Sequence, residues 1–76
     1  MKSFKSYDKA THENSDLFLV KYDNQKIPKD GEKIIIDGMK KTVVNTSRLF
    51  YTEGGTNIFH SIGIRVKKDA GSKPTK

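Results

Sequence analysis

Between Leu17 and Lys68 short apolar runs alternate with turn-forming dipeptides. The runs are Leu17-Phe18-Leu19-Val20, Ile34-Ile35-Ile36, Met39 to Tyr51 and Ile58 to Val66, and Asp30-Gly31, Asp37-Gly38 and Gly54-Gly55 separate them. Runs of this length, rich in β-branched and aromatic residues and bounded by glycine, predict strands joined by tight turns. The expected fold is all-β or mainly β: a small antiparallel meander closing into an SH3-like or partly open barrel.

The last run alternates most cleanly. Ile58, His60, Ile62, Ile64 and Val66 fall on one face, and Phe59, Ser61, Gly63, Arg65 and Lys67 on the other, which predicts one core face and one wet face. A hairpin turning at Gly54-Gly55 pairs residues whose numbers sum to 109. Tyr51 then lies opposite Ile58, Phe50 opposite Phe59, Leu49 opposite His60, Arg48 opposite Ser61 and Val43 opposite Val66. That register puts Val43, Leu49 and Tyr51 beside the isoleucines, but it also turns Asn45 and Ser47 inward and Val44 outward. A β-bulge near Val44 to Thr46 corrects this and bends the strand, as a small barrel requires.

Upstream, Pro28-Lys29-Asp30-Gly31 reads as a turn in which the proline ring fixes φ and glycine takes positive φ. Three adjacent isoleucines, 34–36, predict a strand covered on more than one side, hence interior rather than edge. For the next connection a tight hairpin at Asp37-Gly38 and a four-residue loop through Lys40 both remain open. Residues 1–15 are polar apart from Phe4, Tyr7 and Ala10. They are expected to form a flexible or partly docked arm, with a short helical turn around Asp8 to Glu13, and residues 69–76 a disordered tail. The strands between, 16–68, make a single domain.

Length and composition narrow the field. A chain of 76 residues has room for one core. It contains no cysteine, so neither disulfides nor thiolate metal sites are expected. The N-terminus lacks the apolar stretch of a secretory signal, and nothing approaches the roughly 20 apolar residues of a membrane helix; a cytoplasmic protein without membrane contact is the expectation.

The net charge is +6. Residues 1–16 sum to zero, residues 17–68 carry ten basic and five acidic groups for +5, and the tail adds +1. The excess therefore sits on the sheet as a fixed patch or as an ordinary solvated surface.

Catalytic chemistry finds little support. His12 and His60 are the only imidazoles, and no His, Asp or Glu grouping has the spacing of metal ligands. His60 is expected to be a strand histidine hydrogen-bonded near a sheet edge or to Tyr51. Neither an enzyme, a cofactor nor a small-molecule substrate is expected.

The constellation with most promise is Arg48, Phe50, Phe59, Arg65 and Lys67, which the simple register brings together on the outer face, with Lys40 and Lys41 in reach as backbone contacts. Exposed aromatics among cations suit stacking on bases and pairing with phosphates. The same aromatics suit a protein partner or a homodimer, the latter through an unpaired sheet edge.

The stretch from Ile27 to Gly38, followed by Val43-Val44, resembles the opening of many small SH3-like barrels, in which a turn containing Pro and Gly precedes a strand and a tight hairpin. The whole Lys-rich chain also resembles accessory proteins of bacteriophages and mobile elements. The resemblance implies a non-enzymatic binding module that binds and modulates a host or viral protein, with a small basic nucleic-acid-binding protein as the alternative.

Overall fold

The computed structural model describes residues 1–68, and the tail expected over 69–76 lies outside them. Six strands form: β1 (Ser3–Phe4), β2 (Asp8–Thr11), β3 (Ser15–Lys21), β4 (Lys33–Ile36), β5 (Met39–Glu53) and β6 (Thr56–Lys67). They make one sheet in the order β1-β4-β5-β6-β3-β2, antiparallel throughout except for β1 against β4. No helix occurs among the described residues. The protein is an all-β half-barrel, that is, a small, partly open barrel.

β4, β5 and β6 are the expected meander, and both of its turns are two-residue hairpins. Ile36 pairs with Met39 across Asp37-Gly38, and Glu53 with Thr56 across Gly54-Gly55. Asp37 (φ 53°) and Gly38 (φ 81°) both take positive φ, as do Gly54 and Gly55, the backbone that a type I′ hairpin turn demands. The tight alternative at Asp37-Gly38 is therefore the one realised. β3 adds to the far side of β6 in Greek-key fashion. The long connection from Tyr22 to Glu32 brings Ile27 against the core and buries Pro28.

Residues 1–15, expected to form an arm, contain β1 and β2, which occupy the two opposite edges of the sheet. The helical turn expected around Asp8 to Glu13 is instead β2, because Asp8 to Thr11 pairs in register with Leu19 to Asp16. Only Lys5 to Tyr7 join β1 to β2. In a flat six-stranded sheet the outer strands stand roughly 24 Å apart, five spacings of about 4.8 Å, whereas Phe4 and Asp8 can be separated by ~14 Å at most. The short strap therefore requires the sheet to curl. Ser6 fastens it to the β4–β5 turn: its N–H donates to Asp37 Oδ1 at 2.8 Å, and its hydroxyl donates to Oδ2.

Inside the curl lie Phe4, Phe18, Val20, Ile34, Ile36, Val43, Ile62, Ile64 and Val66, all buried. β4 is interior, flanked by β1 and β5, as its three isoleucines predict. Lys9 of β2 lies over the Phe18 ring, 5.6 Å from its centroid, and covers the core at that edge.

Two bulges shape the β5–β6 pair. Val44 is extra on β5, between the pairs Val43–Val66 and Asn45–Arg65, which is where the sequence predicts a bulge. A second, unexpected bulge leaves His60 extra on β6, between the pairs Leu49–Ser61 and Phe50–Phe59. One shifts the register and the other restores it. The sum of 109 consequently holds at Tyr51–Ile58, Phe50–Phe59 and Val43–Val66. Between the bulges Leu49 faces Ser61 and Arg48 faces Ile62, not His60 and Ser61.

Candidate functional site

The β5–β6 hairpin is the long axis of the molecule, whose extents are 51 × 25 × 19 Å. β4 accompanies β5 only as far as Thr42, and β3 accompanies β6 only from Ser61 onward. Residues 49–60 thus project as a two-stranded ribbon. A free two-stranded ribbon is marginally stable by itself, and this one is braced where it leaves the sheet.

The brace is aromatic. Tyr22, whose N–H donates to the His60 carbonyl at 3.0 Å, stacks on Phe59 with ring centroids 4.1 Å apart and planes 12° from parallel. Phe59 in turn contacts Phe50 at 5.3 Å and packs against the core. The row Tyr22–Phe59–Phe50 so extends the core face outward until Phe50 is 55% exposed. Arg48, two residues before Phe50 on β5, lies on the same face and is exposed.

The other side of the ribbon carries a small polar and aromatic cluster. Because His60 is the bulged residue, it and Ser61 project to one side. Ser61 Oγ is fully buried, 2.6 Å from His60 Nδ1 and 2.8 Å from the Tyr7 hydroxyl. The Tyr51 ring meets His60 edge-on at 5.3 Å. His60 is thus a hydrogen-bonded strand histidine, with Ser61 as its bonding partner. Ser61 lacks the access a nucleophile needs.

The seven candidate residues do not form one surface. Arg48, Phe50 and Phe59 are brought together, but on the core face rather than the outer one. The two bulges are the cause: the one at Val44 moves Arg48 and Phe50 to the side of Val43, and the one at His60 moves Phe59 to the side of Ile62 and Ile64. Arg65 lies on the opposite face, opposite Leu17 and Asn45, and donates to Ser15 Oγ at 3.0 Å. Lys67 is exposed beyond it, opposite Ser15. Lys40 and Lys41 pair with Ile35 and Ile34, on the order of 30 Å along β5 from Phe50 at the usual rise per residue. Of the candidate cations, Arg48 alone lies beside the exposed Phe50; Lys40, Lys41, Arg65 and Lys67 lie toward the other end of the β5–β6 pair.

Reading the sequence alone omits Tyr22 from the site, along with Leu49 and Tyr51 as exposed apolar residues (37% and 45%). The available signal was the charge gap: between Arg48 and Arg65 the sole charged side chain is Glu53.

Elsewhere the arrangement is structural. Lys2 pairs with Glu32 at 2.5 Å and Lys68 with Asp16 at 3.2 Å. Hydrogen bonds from the Lys2 ammonium, then from the Lys29 N–H, hold the Glu32 carboxyl below its ordinary range. The Ser6 hydroxyl and N–H do the same for Asp37. A shallow open cleft of about 330 Å³ lies against Lys2, Ser3, Phe4, Gln25 and Lys26; no imidazole or carboxylate lines it. Among the described residues no group of acidic, His or Cys side chains could hold a metal ion, and no helix is long and apolar enough to cross a membrane.

No protein-family model matches the chain, and no curated protein or solved structure is significantly similar to it.

Proposed function

We propose that the chain is a non-enzymatic binding module that engages another protein through the projecting end of the β5–β6 ribbon. The carrying observation is the composition of that end. Phe50, Tyr51 and Leu49 are exposed there, in a stretch whose one charge between Arg48 and Arg65 is Glu53. Apolar and aromatic side chains exposed on both faces of a ribbon poor in charge, Phe50 on one and Leu49 and Tyr51 on the other, are the make-up of a protein interface centre. That the protein bound belongs to a host or a virus rests on the resemblance to phage accessory proteins alone.

The nucleic-acid alternative draws less support. Base stacking needs free ring faces, whereas Phe59 stacks on Tyr22 on one side and meets Phe50 on the other. Of the cations expected to contact phosphate, only Arg48 stands beside the aromatics.

The test compares the immobilised chain with its Phe50→Ser variant for proteins retained from cell extract after a high-salt wash, alongside oligonucleotide titrations at about 50 and 200 mM salt. Salt-resistant retention that Phe50→Ser abolishes is the expected result. Oligonucleotide binding that collapses between the two salt concentrations, with no Phe50-dependent protein retained, would overturn the reading in favour of nucleic acid.

A further inference from the structure

The ribbon also has an edge. On the side of β5 away from β6, β4 ends its pairing at Thr42, and the backbone bonds of Val43 to Gly31 and Glu32 close the ladder. From Val44 to Glu53 no strand of the described residues lies alongside. The sheet's outer strands, β1 and β2, are two and four residues long, whereas this free stretch of β5 spans ten. Natural edges are usually shortened or guarded by lysine or proline. This one contains neither, and its two charges, Arg48 and Glu53, cancel.

The tight turn fixes which backbone groups are free. In a two-residue hairpin the flanking residues, here Glu53 and Thr56, bond to each other, and alternate residues of each strand then point their N–H and C=O across the ladder. The odd residues of β5 thus face β6. Thr46, Arg48, Phe50 and Thr52 offer their N–H and C=O groups to the open side.

We propose that the chain forms a two-fold dimer in which this edge of β5 pairs antiparallel with the same edge of a second copy, Leu49 lying opposite the partner's Leu49. A two-fold centred on any residue of this stretch brings free groups together, and the centres nearest the middle of Thr46 to Thr52 are Arg48, Leu49 and Phe50. Centring on Arg48 stacks two guanidinium groups against each other. Centring on Phe50 runs the pairing into the Gly54 turn and shortens it.

Centring on Leu49 matches residues 45–53 along their whole length. Arg48 meets the partner's Phe50, Thr46 meets Thr52 and Asn45 meets Glu53. Directly opposite residues share a face, so each Arg48 sits against an aromatic ring, a favourable cation–π placement, and two leucines meet on the other face. Such an isologous contact is self-complementary and closed. It also joins the two aromatic rows on one continuous face. Two molecules that each carry +6 approach here through a segment of zero net charge.

Sedimentation velocity of the full chain, from low micromolar to several hundred micromolar, combined with single-cysteine cross-linking, tests the pairing. The chain has no native cysteine, so each introduced thiol reports alone. The weight-average mass is expected to rise toward the dimer. Leu49→Cys should yield a disulfide-linked dimer under mild oxidation, because cysteines facing each other at the two-fold axis fall within bridging distance. Tyr51→Cys, which this register places ~14 Å from its mate along the strands, should remain unlinked. A wild-type mass that stays monomeric throughout, or cross-linking of Tyr51→Cys as readily as Leu49→Cys, would overturn the proposal. The pairing stands apart from the heterologous partner: a monomeric chain that still retains a Phe50-dependent protein sinks the dimer alone, and a cross-linking dimer that retains nothing sinks the partner alone.

Discussion

Gly63 sits in the middle of β6, where a methyl group has room. A Cβ there would lie 3.5 Å from Leu17 Cδ1, 3.7 Å from Leu19 Cδ2 and 3.9 Å from Ser47 Cβ, ordinary contact distances. Gly63 does not adopt positive φ, so alanine meets no backbone strain. Gly63→Ala should stabilise the fold by about 0.5 kcal/mol, mainly by reducing the freedom of the unfolded chain, and urea denaturation would read this as a higher midpoint at unchanged slope. Ser61 responds in the opposite sense. Its hydroxyl is the hub between His60 Nδ1 and the Tyr7 hydroxyl, so Ser61→Ala should cost about 1 kcal/mol, the usual loss for a buried hydrogen bond. The two aromatics of the ribbon differ too. Phe59→Ala removes a side chain stacked on Tyr22 and packed on the core and should cost about 2 kcal/mol or more. Phe50→Ala trims an exposed ring and should shift stability by less than about 1 kcal/mol, so any loss of binding it causes reports on the surface.

At the level of elements, the N-terminal strap depends on carboxylates. Glu32 receives Lys2 and Asp37 receives Ser6, and these bonds lower both carboxyls. A lowered folded-state value means that the stabilisation is present at neutral pH and is lost as pH falls through the folded-state value. Acidification below the usual carboxylate range should therefore loosen β1 and residues 5–7 before the core opens. Amide exchange would show protection lost first at Ile35 and Asp37, whose N–H groups donate to Lys2 and Phe4 carbonyls; protection lost uniformly across β4 to β6 would contradict this order. Asp37→Asn retains a residue tolerant of positive φ and should flatten the acid dependence. The strands from Leu17 onward and their hairpin turns were legible in the sequence, because period-two alternation and paired glycines report local geometry directly. β1 and β2 were not: β1 is two residues held to β4, far along the chain, and β2, although it forms a hairpin with the adjacent β3, has Ala10 as its one apolar residue, so neither leaves a periodic trace. The His60 bulge was hidden for another reason. Ile58 and Phe59 are both apolar, so either can serve the core and the alternation falls silent where the register slips. That one-residue slip carried Phe59 to the core side, as the Val44 bulge carried Arg48 and Phe50 there on β5, away from Arg65 and Lys67, and so the candidate surface was split in two.

For the molecule as a whole, the separation of charge from apolar surface sets the sign of its response to salt. Lys33, Lys40, Lys41 and Lys67 gather at the end of the β5–β6 pair remote from the Gly54-Gly55 turn, while the projecting end carries Phe50, Tyr51 and Leu49. Two copies that pair through β5 still bring a charge of +6 each into proximity, and that repulsion reaches across solvent at low ionic strength. Raising salt shortens the screening length to about 10 Å at 0.1 M. Self-association should then tighten from low to physiological salt, since what is screened is repulsion and the contact itself is neutral. Binding to a nucleic acid would respond in the opposite direction, because each neutralised phosphate releases a counterion and affinity falls with salt. A heterologous protein held at the ribbon end, where Arg48 and Glu53 cancel, should change little. Sedimentation equilibrium at two salt concentrations therefore separates the modes by sign: a dimer that weakens as salt rises would mean that its contact joins opposite charges, and would rule out the net-neutral pairing along β5.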